Sequence, residues 1–474
     1  MHLFLIWHDE GPEMKIFIDI LEKNNCQVVY WVGAPGGEKY KPKHTIFHEH
    51  LKALANLPAP GVETDDFYPP SRDLIQKLYR VESLFMSMKN NRLYSKTTLD
   101  ERRHIYYNII QYWSGVILKY RPEAIVFFTV PHTLYNYIIY ELAQLYGIKT
   151  IMFEDTWVSD RSLLYNDFWY GSQALKQEIE KNKDKNFSIK ELSQDLSDYY
   201  ESQINKVSDP TPVYAKAYQK QYKIFNRFLH KLKLGLGSFS DLSIFKKFVL
   251  YIYKLIKKNI KREYYHFQEN PDLNKKYIYF PLNYQPERTT SPQGDMFVDQ
   301  ILVTEMLSAS LPDDWVIYIK EHPTQWLFSG INYTESRYEG YYKRLAQIKK
   351  VRLVPIDFDT YKLINKAQAV ATVTGTAGWE ALLRSKPVVI FGYPWYRDCP
   401  GVFRVDSVGS CRQVWQKIKE GYKIDQQKII NYLKSLDKAS IRAYVEIFEG
   451  RDEKLTKQMS TERLAEAIVN NMKE

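Results

Sequence analysis

Along residues 1–155 the apolar positions follow two alternating rhythms. Continuous apolar runs at 1–7, 27–32, 124–129 and 149–153 read as buried strands. Between them, 12–24 and 134–146 carry apolar residues at three- and four-residue spacing, as a helix with one face on a core does. A loop-rich stretch over 34–70 leads into helical patterns up to residue 120. Fully apolar strands separated by helices imply a parallel sheet covered on both faces.

The rhythm breaks over 172–270, where long charged helices interrupted by Ser208-Asp-Pro-Thr-Pro212 replace the alternation. It then resumes: strands at 277–280, 315–320 and 351–354, helices at 297–308 and 361–366, and a strand–turn–helix–strand unit over 369–391. Past residue 409 the pattern is mostly helical, clearest over 413–421 and 462–472. These patterns predict an α/β protein of two Rossmann-like doubly wound domains facing a cleft. Residues 1–175 form the first domain, 176–270 a basic helical insertion, 271–410 the second domain, and 411–474 the C-terminal helices.

The segment 370–391, VATVTGTAGWEALLRSKPVVIF, carries the sharpest chemistry. A small-residue turn at the carboxyl end of a strand exposes the first amides of the next helix, whose positive dipole end favours a phosphate. Gly375, Thr376 and Gly378 are the expected phosphate contacts, with Thr374 or Thr376 as helix cap and Glu380 placed to accept from a ribose. Two more loops fall beyond strand ends, where open α/β sheets bind ligands. One is PLNYQPERTT at 281–290, with Gln285, Glu287 and Arg288; the other is Lys320-Glu321-His322-Pro323. The proline restricts the histidine's backbone, and Lys320 or Arg288 can add charge-assisted contacts to a phosphate. In the first half His8, Asp9, Glu10, His132, Glu154 and Asp155 all follow strands, and His132 and Glu154 are the leading candidates to activate an acceptor hydroxyl. Asp9, ahead of Gly11-Pro12, equally fits a helix cap.

Composition narrows the class. Of 474 residues 45% are hydrophobic and 26% charged, which excludes disordered and fibrous chains. The 38 tyrosines suit a core and also a sugar-binding cleft. Three cysteines with no ligand spacing imply a reducing compartment and no structural zinc. The opening run reads as a first strand rather than a signal peptide, and no apolar run is long enough to span a bilayer, so a cytoplasmic location is expected. The net charge of +10 concentrates between Lys216 and Arg262. There, lysines alternating with apolar residues around 245–262 describe a basic amphipathic helix, suited either to packing on its own domain or to docking on an anionic membrane surface. Without a reader motif it does not suggest nucleic acid. Asp357-Phe358-Asp359 precedes a helix and reads as N-capping rather than as a metal site, so no metal is expected and no cofactor beyond a nucleotide-sugar substrate.

Taken together, YFPLNYQPERTTSPQGDMFVDQ, IKEHP and TVTGTAGWEALLRSKPVVIFG resemble the capsule polysaccharide biosynthesis family of bacterial surface-glycan proteins. The resemblance spans about 277–396, with a weaker echo over 127–155, and does not reach the basic middle or the C-terminal helices. It implies a GT-B-like glycosyltransferase moving sugar from a nucleotide donor, a CMP-linked acidic sugar such as Kdo being the candidate, to a glycan or glycolipid acceptor. By resemblance His322 meets the donor phosphate. The Kdo-transferring relatives carry an aspartate where this chain has Thr289, so a double displacement at that position does not transfer, and Glu287 is the nearest carboxylate. A nucleotide-sugar epimerase and a non-catalytic polysaccharide-binding or export component remain as alternatives.

Overall fold

The computed structural model describes residues 1–474 except 10, 89–97, 206–255, 286, 327–332, 335, 446–454 and 474. The basic segment read as a membrane-docking helix lies mostly outside the described residues, as does Glu10. Among the described residues no helix is long and apolar enough to cross a membrane.

Two six-stranded sheets organise the chain. The first contains β1 (His2–Ile6), β2 (Gln27–Gly33), β3 (Ile46–Glu49), β4 (Ala124–Phe127), β5 (Lys149–Asp155) and β6 (Ser162–Tyr165) in the order β3-β2-β1-β4-β5-β6. The second contains β7 (Lys276–Pro281), β8 (Trp315–Lys320), β9 (Val351–Leu353), β10 (Ala369–Thr372), β11 (Val388–Ile390) and β12 (Val402–Arg404) in the order β12-β11-β10-β7-β8-β9. Each order runs outward from its first strand, then restarts on the other side with its fourth, which is the doubly wound Rossmann order. Both halves are therefore Rossmann-like domains, as the alternating pattern predicts. Pairing is parallel except for β5 with β6, whose antiparallel register sets Glu154 opposite Leu163.

The strands β1, β4, β5, β7, β8 and β10 are buried along nearly their whole length because helices cover both faces. Short edge strands β3, β6 and β12 escaped the pattern reading. Each has only three or four residues, too few to show a period against flanking loop sequence. The C-terminal stretch supplies helices to both halves. Val408–Lys419 shares a core with Leu307 and Trp315 of the second half, through Cys411, Val414, Trp415 and Ile418. Lys457–Lys473 buries Leu464, Ala465, Ile468 and Val469 against Phe17, Ile18 and Leu21 of the first. Its Lys457 binds Asp9 at 2.8 Å.

Candidate functional site

In a doubly wound sheet the loops beyond the strands' carboxyl ends diverge at the switch point and leave a crevice. In the second sheet that point lies between β7 and β10. The β7 loop is therefore flanked by the β8 loop carrying His322 on one side and by the β10 turn carrying Gly375 on the other. The outer loops share one sheet edge two strands apart, about 10 Å.

Contacts hold this edge together. Thr374 Oγ1 donates to the Thr289 carbonyl, Asn283 Nδ2 lies 3.4 Å from Thr374 Oγ1, and Thr372 Oγ1 accepts from the Gly375 amide at 2.9 Å. The N-cap of the helix Thr376–Leu383 is Gly375, which makes no side-chain cap bond. Neither Thr374 nor Thr376 caps it, contrary to the sequence expectation, because the Thr374 hydroxyl is taken by the neighbouring loop. The Gly378 amide closes on the Gly375 carbonyl at 3.1 Å, and the amides of Thr376 and Ala377 precede it at the positive end of the helix. Thr376 is exposed and Glu380 half-buried in that first turn and a half. Gly378 is required by close packing: a Cβ there would meet the Tyr396 hydroxyl at 2.3 Å. Gly378→Ala is expected to cost about 1–3 kcal/mol in denaturant unfolding. Adding Tyr396→Phe should restore only part of that loss, because Cζ would still lie 2.9 Å away and the Gly375 carbonyl would lose its hydroxyl partner; full recovery would show that the hydroxyl alone sets the limit.

On the β8 side a buried polar network fixes the histidine loop. Arg337, fully buried, donates from Nε to Glu321 Oε2 (2.7 Å), from Nη1 to Gln285 Oε1 (2.7 Å) and the Ser336 carbonyl (3.0 Å), and from Nη2 to Glu321 Oε1 (3.2 Å) and the Asn283 carbonyl (3.1 Å). Every guanidinium N–H is used. Glu321 in turn accepts from Tyr342 and from the His322 amide (2.7 Å). Gln285, a sequence candidate for donor binding, is an internal strut: Oε1 also accepts from Gln300 (2.7 Å) and Nε2 donates to the Val298 carbonyl (2.7 Å). Lys320 is likewise buried, donating to the Phe358 carbonyl (2.7 Å) and Thr360 Oγ1 (2.6 Å), and burial lowers its pKa to about 8. Asp359 caps the helix Thr360–Lys366, as the sequence suggests.

His322 is half-buried, and its tautomer follows from one bond. Nδ1 lies 3.3 Å from the Thr324 backbone N–H, which can only donate. Nδ1 is therefore unprotonated and the proton sits on Nε2, a donor. Burial first, then the charges of Arg337 and Lys320, lower its pKa to about 4, so the ring is neutral at pH 7.

His132 has the opposite arrangement. Its Nδ1 is 2.9 Å from the Val130 carbonyl, which can only accept, so Nδ1 carries the proton and Nε2 is a free base. Burial, then Arg288, also lowers it to about 4.

Arg288, on the β7 loop, crosses to the first half. It donates to Thr129 beyond β4 and lies 3.5 Å from Glu154 at the end of β5, where Gln293 Nε2 also reaches Glu154 at 3.1 Å. Glu154 is 4% exposed and burial raises its pKa against the opposing effect of Arg288. Arg80 bridges to Asp295 at 2.8 Å and Ser87 to Ser291 at 2.9 Å along the same seam. The structure thus brings Glu154 and Arg288 together, with His132 close enough for Arg288 to perturb it. It does not gather the remaining candidates there. Glu287 is exposed and accepts from the Thr289 hydroxyl at 2.6 Å. Asp9 accepts from the Gly11 amide at 2.8 Å as well as from Lys457, and Asp155 accepts from Ser162 and the Val445 amide (3.2 Å). His8 joins His50 and Tyr135, two residues sequence reasoning passed over because His50 follows the short strand β3. Among the described residues no group of His, Cys, Asp or Glu side chains could hold a metal ion.

Five imidazoles, His8, His48, His50, His132 and His322, have lowered pKa values, chiefly through burial. The unfolded chain binds protons at these sites near pH 6.5 and the folded chain does not, so stability is lost as pH falls from 6.5 toward 4. Each imidazole held at about 4 contributes on the order of 3 kcal/mol. Glu141 and Glu154, with raised values, act in the opposite direction but are outnumbered. Urea midpoints are expected to fall steeply between pH 7 and pH 4.5, and an unchanged midpoint would show these rings to be solvated.

The family model described as capsule polysaccharide biosynthesis protein matches residues 177–425, more than half of the chain. This match extends beyond the 277–396 of the motif resemblance into the helical middle, and it does not include 127–155. The capsule polysaccharide modification protein LipA of Neisseria meningitidis serogroup B is 36% identical over 80 residues, 17% of this chain and 10% of that protein. The chain therefore matches about a tenth of the length of that curated relative. Among solved structures, a beta Kdo 2,7 transferase, KpsC of Thermosulfurimonas dismutans, aligns at 12% identity and TM-score 0.31 over 80% of this chain and 98% of that one. A UDP-GlcNAc 2-epimerase of Neisseria meningitidis bound to UDP-GlcNAc aligns at 12% identity and TM-score 0.25, covering 100% of this chain and 99% of that one.

Proposed function

The chain belongs to the capsule polysaccharide biosynthesis family, and from that premise we propose that it is a glycosyltransferase moving sugar from a nucleotide donor to a surface-glycan acceptor. The donor occupies the switch point of the second sheet, its phosphate between the first-turn amides of Thr376–Leu383 and the Nε2–H of His322. The acceptor occupies the switch point of the first sheet, where the Nε2 of His132 takes the proton of the attacking hydroxyl. A CMP-linked acidic sugar is the candidate donor. The observation that carries this reading is the reach of Arg288 from the β7 loop to Thr129 and Glu154, because it joins the ligand edges of both sheets at one seam.

Chemically the two histidines are complementary. A neutral N–H donor suits an anionic leaving group, and a neutral imidazole base suits a hydroxyl at pH 7. Arg288, adjacent to both sides, is placed to balance charge as the phosphate departs.

Thermal shift with CMP-, UDP-, GDP- and dTDP-sugars, followed by nucleotide release with and without capsule oligosaccharide, tests the proposal. Stabilisation by one donor and release that depends on the acceptor are expected. Turnover of a sugar nucleotide without acceptor would favour an epimerase. No stabilisation by any donor would favour a non-catalytic glycan-binding role, the reading that Thr289 in place of the relatives' aspartate supports.

A further inference from the structure

Three side chains from separate elements meet beyond the carboxyl ends of β1, β3 and β4. His8 follows β1, His50 follows β3, and Tyr135 opens the helix after β4. The Tyr135 hydroxyl lies 2.7 Å from His8 Nε2 and 2.7 Å from His50 Nδ1. The two imidazoles face each other with centroids 3.9 Å apart, and Phe128 lies 5.0 Å from His8. Tyr135 itself is locked by stacking on Trp113 at 5.6 Å.

Proton counting constrains what this unit presents. A phenol has one proton, so with two neutral imidazoles it donates to one ring and accepts from the other. If it donates to His8, His8 is protonated at Nδ1 and His50 is protonated at Nδ1, leaving His50 Nε2 as an outer acceptor. If it donates to His50, both rings are protonated at Nε2, and His8 Nδ1 becomes the outer acceptor. Either way the two outer nitrogens are one donor and one acceptor, and both rings share one tautomer. Among the described residues these outer nitrogens have no hydrogen-bond partner, and neither is a buried orphan, so both are open to solvent. Burial lowers the pKa of both rings, and the neighbouring His50 and His132 lower that of His8 further.

We propose that His8, Tyr135 and His50 form a hydroxyl-reading subsite for the acceptor glycan, with Phe128 as its apolar floor. A sugar hydroxyl donates one hydrogen bond and accepts another, which is the pair these rings offer, and the apolar face of a pyranose suits an aromatic ring. Because the tautomers interconvert together, the subsite accepts a hydroxyl in either orientation but disfavours a carboxylate, which supplies no donor. His132 lies close enough to His8 to perturb it, which puts this subsite beside the base of the proposed reaction. The inference deepens the glycosyltransferase reading and rests on it only for calling the sugar an acceptor.

Histidine-ring ¹⁵N spectra of the full chain, titrated with glucose, galactose and N-acetylglucosamine, test it. His8 and His50 are expected to carry the same tautomer and to shift together with at least one sugar. Tyr135→Phe should weaken that binding at least tenfold while leaving the thermal shift by nucleotide sugars intact. His50→Gln, at a half-exposed position, is the second variant and should give the same loss. Opposite tautomers, no response at either ring, or unaltered sugar binding in both variants would overturn the subsite. Sugar binding here combined with no response to any nucleotide sugar would instead leave the subsite standing and remove the transferase reading.

Discussion

Replacing Arg337 by methionine should lower the unfolding free energy by about 3–5 kcal/mol, because it strands the Glu321 carboxylate in a fully buried site. The cost is not the worth of the ion pair itself. Forming that pair in the interior required stripping water from both groups, and the return comes only while all five guanidinium N–H groups and both carboxylate oxygens stay bonded. Removing one partner therefore leaves the desolvation penalty with nothing to offset it. Glu321→Leu added to Arg337→Met should recover a substantial part of the loss, since an apolar pair has no charge to strand. Urea unfolding of the wild type, the single and the double variant checks this. A loss below about 1 kcal/mol in the single variant would mean that water reaches the pair. The same network ties Gln285 and Asn283 of the β7 loop to the residue preceding His322, so the single variant should also weaken donor binding without touching the donor.

Replacing His322 by alanine should reduce sugar transfer about 10²-fold, mainly by weakening donor binding, with the urea midpoint nearly unchanged. Its hydrogen bonds are local, to Thr324 two residues away, and beyond them its half-buried ring meets Tyr284 with centroids 5.9 Å apart, so little packing is lost with it. His322→Gln should recover part of the activity because its amide can again offer an N–H toward the phosphate, whereas a carboxylate there should be worse than alanine. The thermal shift by the identified nucleotide sugar, compared across these variants, is the measurement. Unchanged donor affinity in His322→Ala would remove the phosphate role.

Much of the architecture was legible because it rests on local order. Short β-branched and aromatic apolar runs such as AIVF at β4 and WVIYI at β8 read as central strands, and the intervening three- and four-residue periodicity reads as covering helices. Turn chemistry placed the Gly375–Gly378 corner, and proline placed the bend after His322. Residues whose role depends on a distant partner were not legible. Arg337 carries no local signal, yet all five of its guanidinium N–H groups are bonded beside the site. His50 follows a short edge strand, and Tyr135 belongs to an ordinary buried helix. Gln285 and Lys320 looked like ligand contacts because they follow strands, and the fold instead uses them inside.

Sequence alone determined that this chain builds two doubly wound sheets with a small-residue turn and a His-Pro corner at strand ends, because hydrophobic period, glycine and proline act within a few residues of where they stand. Only the tertiary structure decided which strand-end residues meet across the seam and which charges are buried. Those outcomes depend on strand order and on partners between 16 and more than 100 positions away, as with Glu321 and Arg337 or Glu154 and Arg288, separations over which side-chain chemistry leaves no trace in the local pattern.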